Sequence, residues 1–231
     1  MSGITISPIA HIRTPFKDKF GLPRQSGRVS SLTGEIVFEP QFRNPDAIRG
    51  LDGFSHIWLI FEFSQSHREN FSPTVRPPRL GGNRRVGVFA SRSPFRPNSL
   101  GLSCVKLKEI RHDANLGDVL EVEGIDLLDG TPIFDLKPYL PHADCIPDAL
   151  GGFADEFASY KLEVVCPDSL AELLPDNIRD AVFSCLAEDP RPSYQNDPNR
   201  IYTMSFDKYE IDFTSDGKAV CINNVRESFN E

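Results

Sequence analysis

The sequence predicts a mainly β protein, in which a compact antiparallel β-barrel is followed by a small α+β C-terminal domain. Most of the first 140 residues divide into short stretches rich in β-branched and aromatic residues and bounded by Gly, Pro, Asn or Asp. Few long helical patterns interrupt these stretches, which disfavours layered β-α-β units and favours an antiparallel barrel. After about residue 145 a helical pattern appears beside strand-like stretches. The predicted domains are therefore residues 1–145 and 146–231.

Strands are predicted in the first domain at 4–12, 34–38, 56–63, 85–92, 101–110, 119–127 and 133–136. The stretch 56–63 is apolar on both faces, which is typical of a central strand. In 101–110, Lys106 and Lys108 alternate with Val105 and Leu107, so one face of that strand is expected to be exposed. A short helix is predicted at 45–50, with Asn44 as its N-cap.

The second domain is predicted to begin after a proline-containing linker at 140–150. Asp176 is predicted to cap a helix that ends before Pro190, because one helical face collects apolar side chains: Ile178, Val182, Cys185 and Leu186. Strands are predicted at 201–213 and 218–223, on either side of a hairpin turn at Ser215-Asp216-Gly217.

Composition limits the class of protein. The chain of 231 residues is 39% hydrophobic, enough for a proper core, and its net charge of -8 argues against a nonspecific nucleic-acid coat. Its five cysteines are widely spaced and include no CxxC pair, so neither a disulfide scaffold nor a zinc ribbon is expected. The N-terminus lacks an apolar signal core, and no apolar run reaches membrane-spanning length. These features predict a cytoplasmic protein without a membrane partner.

Several catalytic motifs are absent from the sequence. It contains no GxxxxGK[ST] phosphate loop, no GxGxxG after a strand, no GxSxG elbow, and no HxH or HExxH pair. Asp126, Asp129 and Asp135 form an acidic trio that could bind magnesium, but a turn at Gly130-Thr131-Pro132 explains Asp129 equally well. No metal is therefore expected.

Residues 75–98, here called the arginine segment, contain six arginines and no acidic residue in an otherwise acidic chain. Guanidinium groups donate paired hydrogen bonds to phosphates and carboxylates, and the prolines and glycines of the segment favour shaped loops. Phe89, Phe95 and Asn98 lie among the arginines, and aromatic and amide groups contact bases. The pattern favours an anion-recognition surface, although solvated loop arginines are the alternative.

Many strings of this sequence together resemble one family. They are Pro23-Arg24-Gln25, Gly50-Leu51, Phe54-Ser55-His56, Arg76-Pro77-Pro78-Arg79-Leu80-Gly81-Gly82-Asn83, Gly87-Val88-Phe89-Ala90, Arg92-Ser93, Phe95-Arg96-Pro97-Asn98, Asp129-Gly130-Thr131-Pro132, Asp135, Lys137-Pro138-Tyr139-Leu140-Pro141 and Asp189-Pro190-Arg191-Pro192-Ser193-Tyr194. They resemble the TsaA-like family, whose bacterial members are TrmO-type tRNA methyltransferases. The resemblance spans nearly the whole chain and is strongest over residues 5–145.

The resemblance implies a dimeric enzyme that uses S-adenosylmethionine to methylate the exocyclic nitrogen of threonylcarbamoyladenosine, beside the anticodon of threonine-accepting tRNA. It also implies a cofactor pocket lined by Pro23, Arg24, Gln25, Ser64, Gln65, Arg92, Leu102, Asp129, Gly130, Thr131 and Pro132. Relatives often carry His where Ser64 stands, and some carry Met where Leu102 stands. The second exchange conserves volume and should be tolerated.

Catalytic and RNA-binding roles are assigned on the same motifs. Asp135 and Tyr139 are candidates for the base that takes the proton of the acceptor nitrogen, although Asp135 could instead pair with Lys137. Asn98 is expected to contact a base edge. The expected tRNA contacts are Arg76, Arg79, Arg85, Arg96 and Lys137, with Arg84 as a weaker member.

Two other classes of function stay open on the sequence alone. The first is a noncatalytic nucleic-acid-binding barrel that uses the same arginines without a cofactor. The intact strings at Pro23-Arg24-Gln25 and Asp129-Gly130-Thr131-Pro132 argue against it. The second is a metal-assisted hydrolase, which rests on the acidic trio alone. In the C-terminal domain, Asp189-Pro190-Arg191-Pro192 could end a helix or could present an arginine to tRNA or to a partner subunit.

Overall fold

A computed structural model describes residues 4–81, 83–192, 195 and 197–228. Gly82, Ser193 and Tyr194, which belong to two of the family-like strings, lie outside these residues. The strands are β1 Ala10–Arg13, β2 Thr33–Phe38, β3 His56–Glu62, β4 Thr74–Val75, β5 Val86–Gly87, β6 Leu100–Asp113, β7 Gly117–Glu123, β8 Pro132–Pro138, β9 Glu163–Val165, β10 Tyr202–Phe206, β11 Tyr209–Ser215 and β12 Ala219–Glu227. The α-helices are α1 Pro141–Asp144, α2 Asp168–Ala171 and α3 Asp176–Ala187.

Six antiparallel strands form the first layer, in the order β1-β2-β7-β6-β3-β8, and the sheet closes into a barrel where β1 pairs with β8. The predicted mainly β, antiparallel fold is confirmed. The closing contact is short, because it pairs only Ala10 with Ile133 and His11 with Pro132. Strand β3 lies between β6 and β8, as its two apolar faces predicted.

The alternation predicted for 101–110 is confirmed in β6. Val105 and Leu107 are buried, whereas Lys106 and Lys108 point to solvent and pair with Glu123 and Glu121 of β7. These are cross-strand neighbours, and opposite charges there stabilise the pairing modestly. The predicted short helix is a 3₁₀ helix at Pro45–Ile48, and the Asn44 side chain caps it by accepting a hydrogen bond from Asp46 N.

Several predicted strands were wrong in extent, including 119–127, where β7 ends at Glu123, and 218–223, where β12 continues to Glu227. Residues 4–12 form a strand only from Ala10, and 85–92 contains only the two-residue β5 before a 3₁₀ helix at Val88–Ala90. The partner of β5 is equally short, so no long ladder can form there. The stretch 201–213 is two strands, β10 and β11, because the chain turns at Asp207 with a positive φ of 54°.

The C-terminal part is α+β, with a four-stranded sheet in the order β10-β11-β12-β9 and with α3 among the elements that contact β9. Helix α3 buries Val182, Cys185 and Leu186, as predicted. Asp176 is its first residue rather than its cap, since Pro175 occupies the N-cap position. The hairpin at Ser215-Asp216-Gly217 is confirmed: it joins β11 to β12, with Gly217 at φ 88°.

One hydrophobic core runs through both parts of the chain. The loop after β1 supplies Phe16 and Phe20, whose rings contact Phe206 and Phe213 of the C-terminal sheet. A Cβ at Gly21 would lie 2.3 Å from the sulfur of Met204, so the two parts approach each other closely at that position. All five cysteines are free thiols. Among the described residues, no helix combines the length and apolarity needed to cross a membrane.

Candidate active site

One end of the barrel gathers most of the residues expected in the cofactor pocket. Strands β1, β3 and β7 end there, and β2, β6 and β8 begin there, because neighbouring strands of the barrel are antiparallel. Ser64 and Gln65 follow β3, Leu102 lies near the start of β6, and Asp129-Gly130-Thr131-Pro132 leads into β8. The loop from Pro23 joins this end through Gly27 N, which donates to Gly124 O over 2.8 Å.

Gln25 and Arg92 are in direct contact. Arg92 Nη1 donates to Gln25 Oε1 over 2.5 Å, so the arginine segment and the loop after β1 meet at this point. Arg92 is exposed and Gln25 is half-buried. The Arg92 guanidinium is therefore open to solvent, and its hydrogen bond to Gln25 fixes its orientation. This arrangement is suited to binding a carboxylate.

A buried carboxyl lies beside this pair. Ser103 Oγ donates to Asp126 Oδ1 over 2.6 Å, and the backbone N–H of Ser26 also donates to the Asp126 carboxyl. Burial raises the pKa of Asp126 to about 6, although these hydrogen bonds and the positive charge of Arg92 act in the opposite direction. The sequence suggested Asp126 only as part of a metal-binding trio. Its partners Ser103 and Arg92 come from distant positions, so no local pattern could have identified this role.

The turn before β8 is shaped by its own backbone. Asp129 Oδ1 accepts from Thr14 N over 3.0 Å, Gly130 N donates to Ile12 O over 2.8 Å, and Thr131 Oγ1 donates to Leu128 O over 2.7 Å. Asp129 and Gly130 also line a cavity of about 250 Å³ that reaches His11, Arg13 and Arg43. The Asp129 side chain thus helps to hold the turn, and the backbone N–H groups of Asp129, Gly130 and Thr131 also donate within the protein.

Two other elements shape the same end of the barrel. Lys19 Nζ donates to Gln65 O and to the Oγ of the buried Ser66, both over 2.8 Å, which fixes the turn after β3. In β6, Leu102 is 54% exposed, an apolar side chain available to pack against a ligand. Its neighbour Gly101 faces the Phe61 ring so closely that a Cβ would lie 2.2 Å from it.

The arginines of the arginine segment fall into two groups. Arg79 and Arg96 have structural partners: Arg79 Nη2 donates to Glu188 O over 2.8 Å, and Arg96 Nη1 donates to Ser91 O over 2.7 Å. Arg76, Arg84 and Arg85 are exposed. Asn98 is also exposed, at the turn that precedes β6. Apart from Arg92, which is exposed but bonded to Gln25, the second group is the one that presents its charge freely to an anionic partner.

A buried polar junction joins the loop after β1 to the turn that follows α3. Arg28 Nε donates to Glu188 Oε2 over 2.9 Å, and Arg24 Nη2 donates to Asp189 O over 3.4 Å. Arg191 is 6% exposed and pairs with Asp189 through Nε over 2.8 Å and through Nη2 over 3.2 Å. Arg191 is therefore not presented to tRNA or to a partner. Burial, with the nearby Arg79 charge, lowers the pKa of Arg24.

Strand β8 leads away from this end of the barrel, and it places Asp135, Lys137 and Tyr139 at increasing distance from Pro132. Asp135 pairs in register with Ile60, Lys137 with Trp58, and Tyr139 N donates to His56 O over 2.9 Å. At roughly 3.3 Å per residue, Tyr139 lies about 23 Å along the strand from Pro132. Lys137 Nζ lies 3.3 Å from Asp135 Oδ2, so the ion pair offered as the alternative role of Asp135 is present.

The acidic trio does not converge. Asp126 contacts Ser103, Asp129 contacts Thr14, and Asp135 contacts Lys137. Within the part of the chain that the structure describes, no group of three or more His, Cys, Asp or Glu side chains is placed to hold a metal ion.

Comparison with known proteins identifies the family. Residues 11–145 match the tRNA-methyltransferase O N-terminal domain, and residues 164–228 match the TrmO C-terminal domain. The chain is 44% identical to the tRNA (adenine(37)-N6)-methyltransferase of Escherichia coli (strain K12) over 202 residues, which cover 84% of this chain and 85% of that protein. It is 50% identical over 161 residues to the protein of that name from Eikenella corrodens, covering 69% and 90%.

Solved structures agree with this match. A crystal structure of TrmO from Pseudomonas aeruginosa superimposes on 97% of this chain with a TM-score of 0.77 and 30% identity, and the match covers 100% of that chain. Both halves of the sequence and the complete fold thus point to the same relatives. The chain belongs to the tRNA-methyltransferase O family.

Proposed function

We propose that this protein transfers the methyl group of S-adenosylmethionine to the exocyclic nitrogen of threonylcarbamoyladenosine, next to the anticodon of threonine-accepting tRNA. The coarser part of this proposal, an S-adenosylmethionine-dependent tRNA methyltransferase acting on N6 of adenine 37, follows from the family and from the names of its members. The modified base and the identity of the tRNA are the finer part. The alternative of a noncatalytic RNA-binding barrel is disfavoured by the same membership.

The observation that carries the proposal is the contact between Arg92 and Gln25 beside the Asp126 carboxyl. The groups there fit the cofactor's polar groups: a guanidinium for its carboxylate, and a carboxylate for its ammonium or ribose. Leu102 offers apolar surface for a ring. We propose Pro23, Ser64, Gln65 and the backbone of Asp129, Gly130, Thr131 and Pro132 as the remaining walls. Arg24 is proposed to orient Gln25 rather than to contact the ligand, because its guanidinium donates to the carbonyls of Asp189 and Arg191.

When bound, the cofactor supplies an activated methyl group: an N–C bond forms as the C–S bond breaks, sulfur keeps the electron pair, and the nitrogen loses its proton. The residues of this chain then have mainly to hold two reactants in line, which can contribute several kcal/mol to lowering the barrier. A base that accepts the proton adds less. Tyr139 is poorly prepared for that task, since burial and the neighbouring Cys145 raise its pKa and disfavour the phenolate.

The RNA side is proposed to lie on the arginine segment. Arg76, Arg84 and Arg85 are exposed and would contact phosphates, while Asn98 would contact a base edge. Arg79 and Arg96 contribute to the same positive field, but their hydrogen bonds mainly shape the loops. Lys137 lies on β8 and pairs with Asp135, and we propose that it gives up this pair to contact the RNA. We also propose that the protein is a homodimer, that it is located in the cytoplasm, and that its two domains divide at residue 145.

The deciding experiment measures methyl transfer to three RNAs: threonine tRNA carrying the threonylcarbamoyl group, its unmodified transcript, and a modified tRNA that accepts another amino acid. We expect product with the first RNA alone. Equal transfer to the unmodified transcript would remove the requirement for the threonylcarbamoyl group. Equal transfer to the third RNA would remove the specificity for threonine tRNA. No transfer to any of them, with cofactor binding intact, would overturn the proposed reaction.

A further inference from the structure

Two exposed phenylalanines form a stacked pair on the surface that carries the arginine segment. Phe89 is 73% exposed and Phe71 is 60% exposed, yet their ring centroids lie 6.5 Å apart with an interplanar angle of 27°. Most large apolar side chains of the first domain are buried. An exposed aromatic pair therefore calls for a partner that covers it.

The backbone holds this pair in place. Thr74 pairs with Gly87 in the β4–β5 ribbon, and Val88 N donates to Pro73 O over 2.9 Å. This short ladder brings Phe71, which precedes β4, against Phe89, which follows β5. The rings are thus preorganised by local pairing, and binding a partner costs little additional side-chain entropy.

Arginines lie beside Phe89 and beside the nearby Phe95. The Arg96 guanidinium lies 5.9 Å from the Phe89 centroid, and the Arg68 guanidinium lies 3.6 Å from the centroid of Phe95. The exposed Arg76, Arg84 and Arg85 belong to the same segment, which has no acidic residue; Glu69 is the acidic residue nearest to Phe71 in sequence. Aromatic faces interleaved with arginines are the chemistry that binds unpaired nucleotides, through base stacking and phosphate contacts.

The position of the pair relates it to the candidate active site. Arg96 Nη1 donates to the carbonyls of Val88 and Ser91, on either side of Phe89, and Arg92 is bound to Gln25 one residue beyond Ser91. One compact loop thus carries both the stacking ring and the guanidinium of the cofactor pocket. A nucleotide stacked on Phe89 would be held by the same loop that carries Arg92.

We propose that Phe71 and Phe89 form a stacking platform for unpaired nucleotides that flank the target base in the RNA. This inference rests on the proposed function for the class of substrate, and it adds a binding surface that acts through π-stacking rather than charge. It makes a distinct thermodynamic prediction, because stacking does not release counterions whereas phosphate contacts do.

The test measures binding of a labelled RNA hairpin with the anticodon-loop sequence of threonine tRNA at two salt concentrations. Phe89→Leu and Phe71→Leu should each weaken binding at least about fivefold, the low end for loss of one stacked base, with an unchanged salt slope. Phe89→Tyr should bind within about twofold of the original protein, since a tyrosine ring also stacks. Phe42→Leu, at a half-exposed phenylalanine outside the segment, is the matched control and should have no effect.

Two results would overturn the platform. One is hairpin binding by both leucine variants at the original affinity while S-adenosylmethionine still binds. The other is dissociation of a dimer by these substitutions in sedimentation, which would assign the rings to a second copy of this chain. Failure of the original protein to methylate any tRNA would instead refute the proposed function, and the hairpin titration would still report on the platform.

Discussion

Arg92 and Gln25, 67 positions apart in the chain, share a hydrogen bond of 2.5 Å at the end of the barrel. The contact links the arginine segment, with its exposed charges, to the loop that packs on the C-terminal part. It gives Arg92 a defined orientation that a solvated arginine would lack. The charge of Arg92 should therefore be used for one ligand group rather than for general attraction of anions.

Replacing Arg92 with alanine should raise the dissociation constant for S-adenosylmethionine at least about tenfold, because one charge-assisted hydrogen bond contributes about 1.5–3 kcal/mol. Calorimetric titration of the two proteins measures this directly. Arg84→Ala, which removes an exposed arginine of the same segment, is the control and should leave cofactor affinity unchanged. If Arg92→Ala binds the cofactor normally but binds tRNA weakly, Arg92 belongs to the phosphate-contacting group.

The exposed arginines should determine how tRNA binding responds to salt. The slope of log affinity against log salt is negative, and losing one phosphate contact should make it less steep by up to about 1. We expect this change in each of Arg76→Ala, Arg84→Ala and Arg85→Ala. Arg96→Ala should change the slope less, since its guanidinium is hydrogen-bonded to loop carbonyls. Filter binding over a salt series gives the slopes. A profile that is flat already in the original protein would refute these phosphate contacts.

Asp126→Asn should stabilise the protein at neutral pH. The pKa of Asp126, raised to about 6 by burial, exceeds its ordinary value of 3.8, so the folded state binds more protons than the unfolded state between these values. The original protein therefore loses stability as pH rises from about 4 to about 6, and the variant avoids that loss. Urea denaturation should show an advantage for the variant that grows over this range to about 1–3 kcal/mol at pH 7. A constant difference at all pH values would show that Asp126 titrates normally.

The polar junction should respond strongly to loss of one partner. Arg191→Met leaves the Asp189 carboxylate buried without its guanidinium, which costs about 3–5 kcal/mol for a buried pair. The matched control is Arg226→Met, where a half-exposed arginine pairs with Glu210 and Asp212 and the loss should be much smaller because solvent screens the charges. Equal losses of unfolding free energy in the two variants would show that burial does not increase the cost of breaking the Arg191–Asp189 pair.

Asp135→Asn should lower the methylation rate by less than about tenfold. A general base contributes about 10²–10⁴-fold, whereas the observed partner of Asp135 is Lys137 at 3.3 Å. Single-turnover rates with saturating tRNA separate these cases. A loss above a hundredfold, with tRNA affinity retained, would restore Asp135 as the base.

Local patterns predicted those elements whose partners are long strands. The alternation of Val105 and Leu107 with Lys106 and Lys108 was sufficient for β6, because β3 and β7 extend beside it. The strand predicted at 85–92 has only two residues in β5, since its partner strand is two residues long. A sequence pattern reports which face of a strand can be buried, and it does not report the length of the neighbouring strand.

The candidate site shows a similar division. The resemblance of the sequence to a family pointed to Gln25 and Arg92, which lie together. It did not distinguish Arg24, whose hydrogen bonds turn to Asp189 and Arg191, or the buried state of Arg191. The Arg24 contacts join residues more than 160 positions apart, and Arg191 is buried against Asp189 and the Ser215 carbonyl. Charge alone suggested surface roles, and only the fold shows that desolvated carbonyls and carboxylates surround these guanidinium groups.

The close approach of Gly21 to Met204 and the ring contacts of Phe16 and Phe20 bear on how the chain unfolds. A fragment ending at residue 145 would keep every strand of the barrel but would expose these aromatic rings to water. The barrel and the C-terminal part are distinct in sequence but share these contacts, so neither should be stable without the other. Heating should therefore unfold them in a single cooperative transition. Damage to the C-terminal sheet would then reach the proposed cofactor pocket through the loop at Gln25, without touching any residue proposed to bind a ligand.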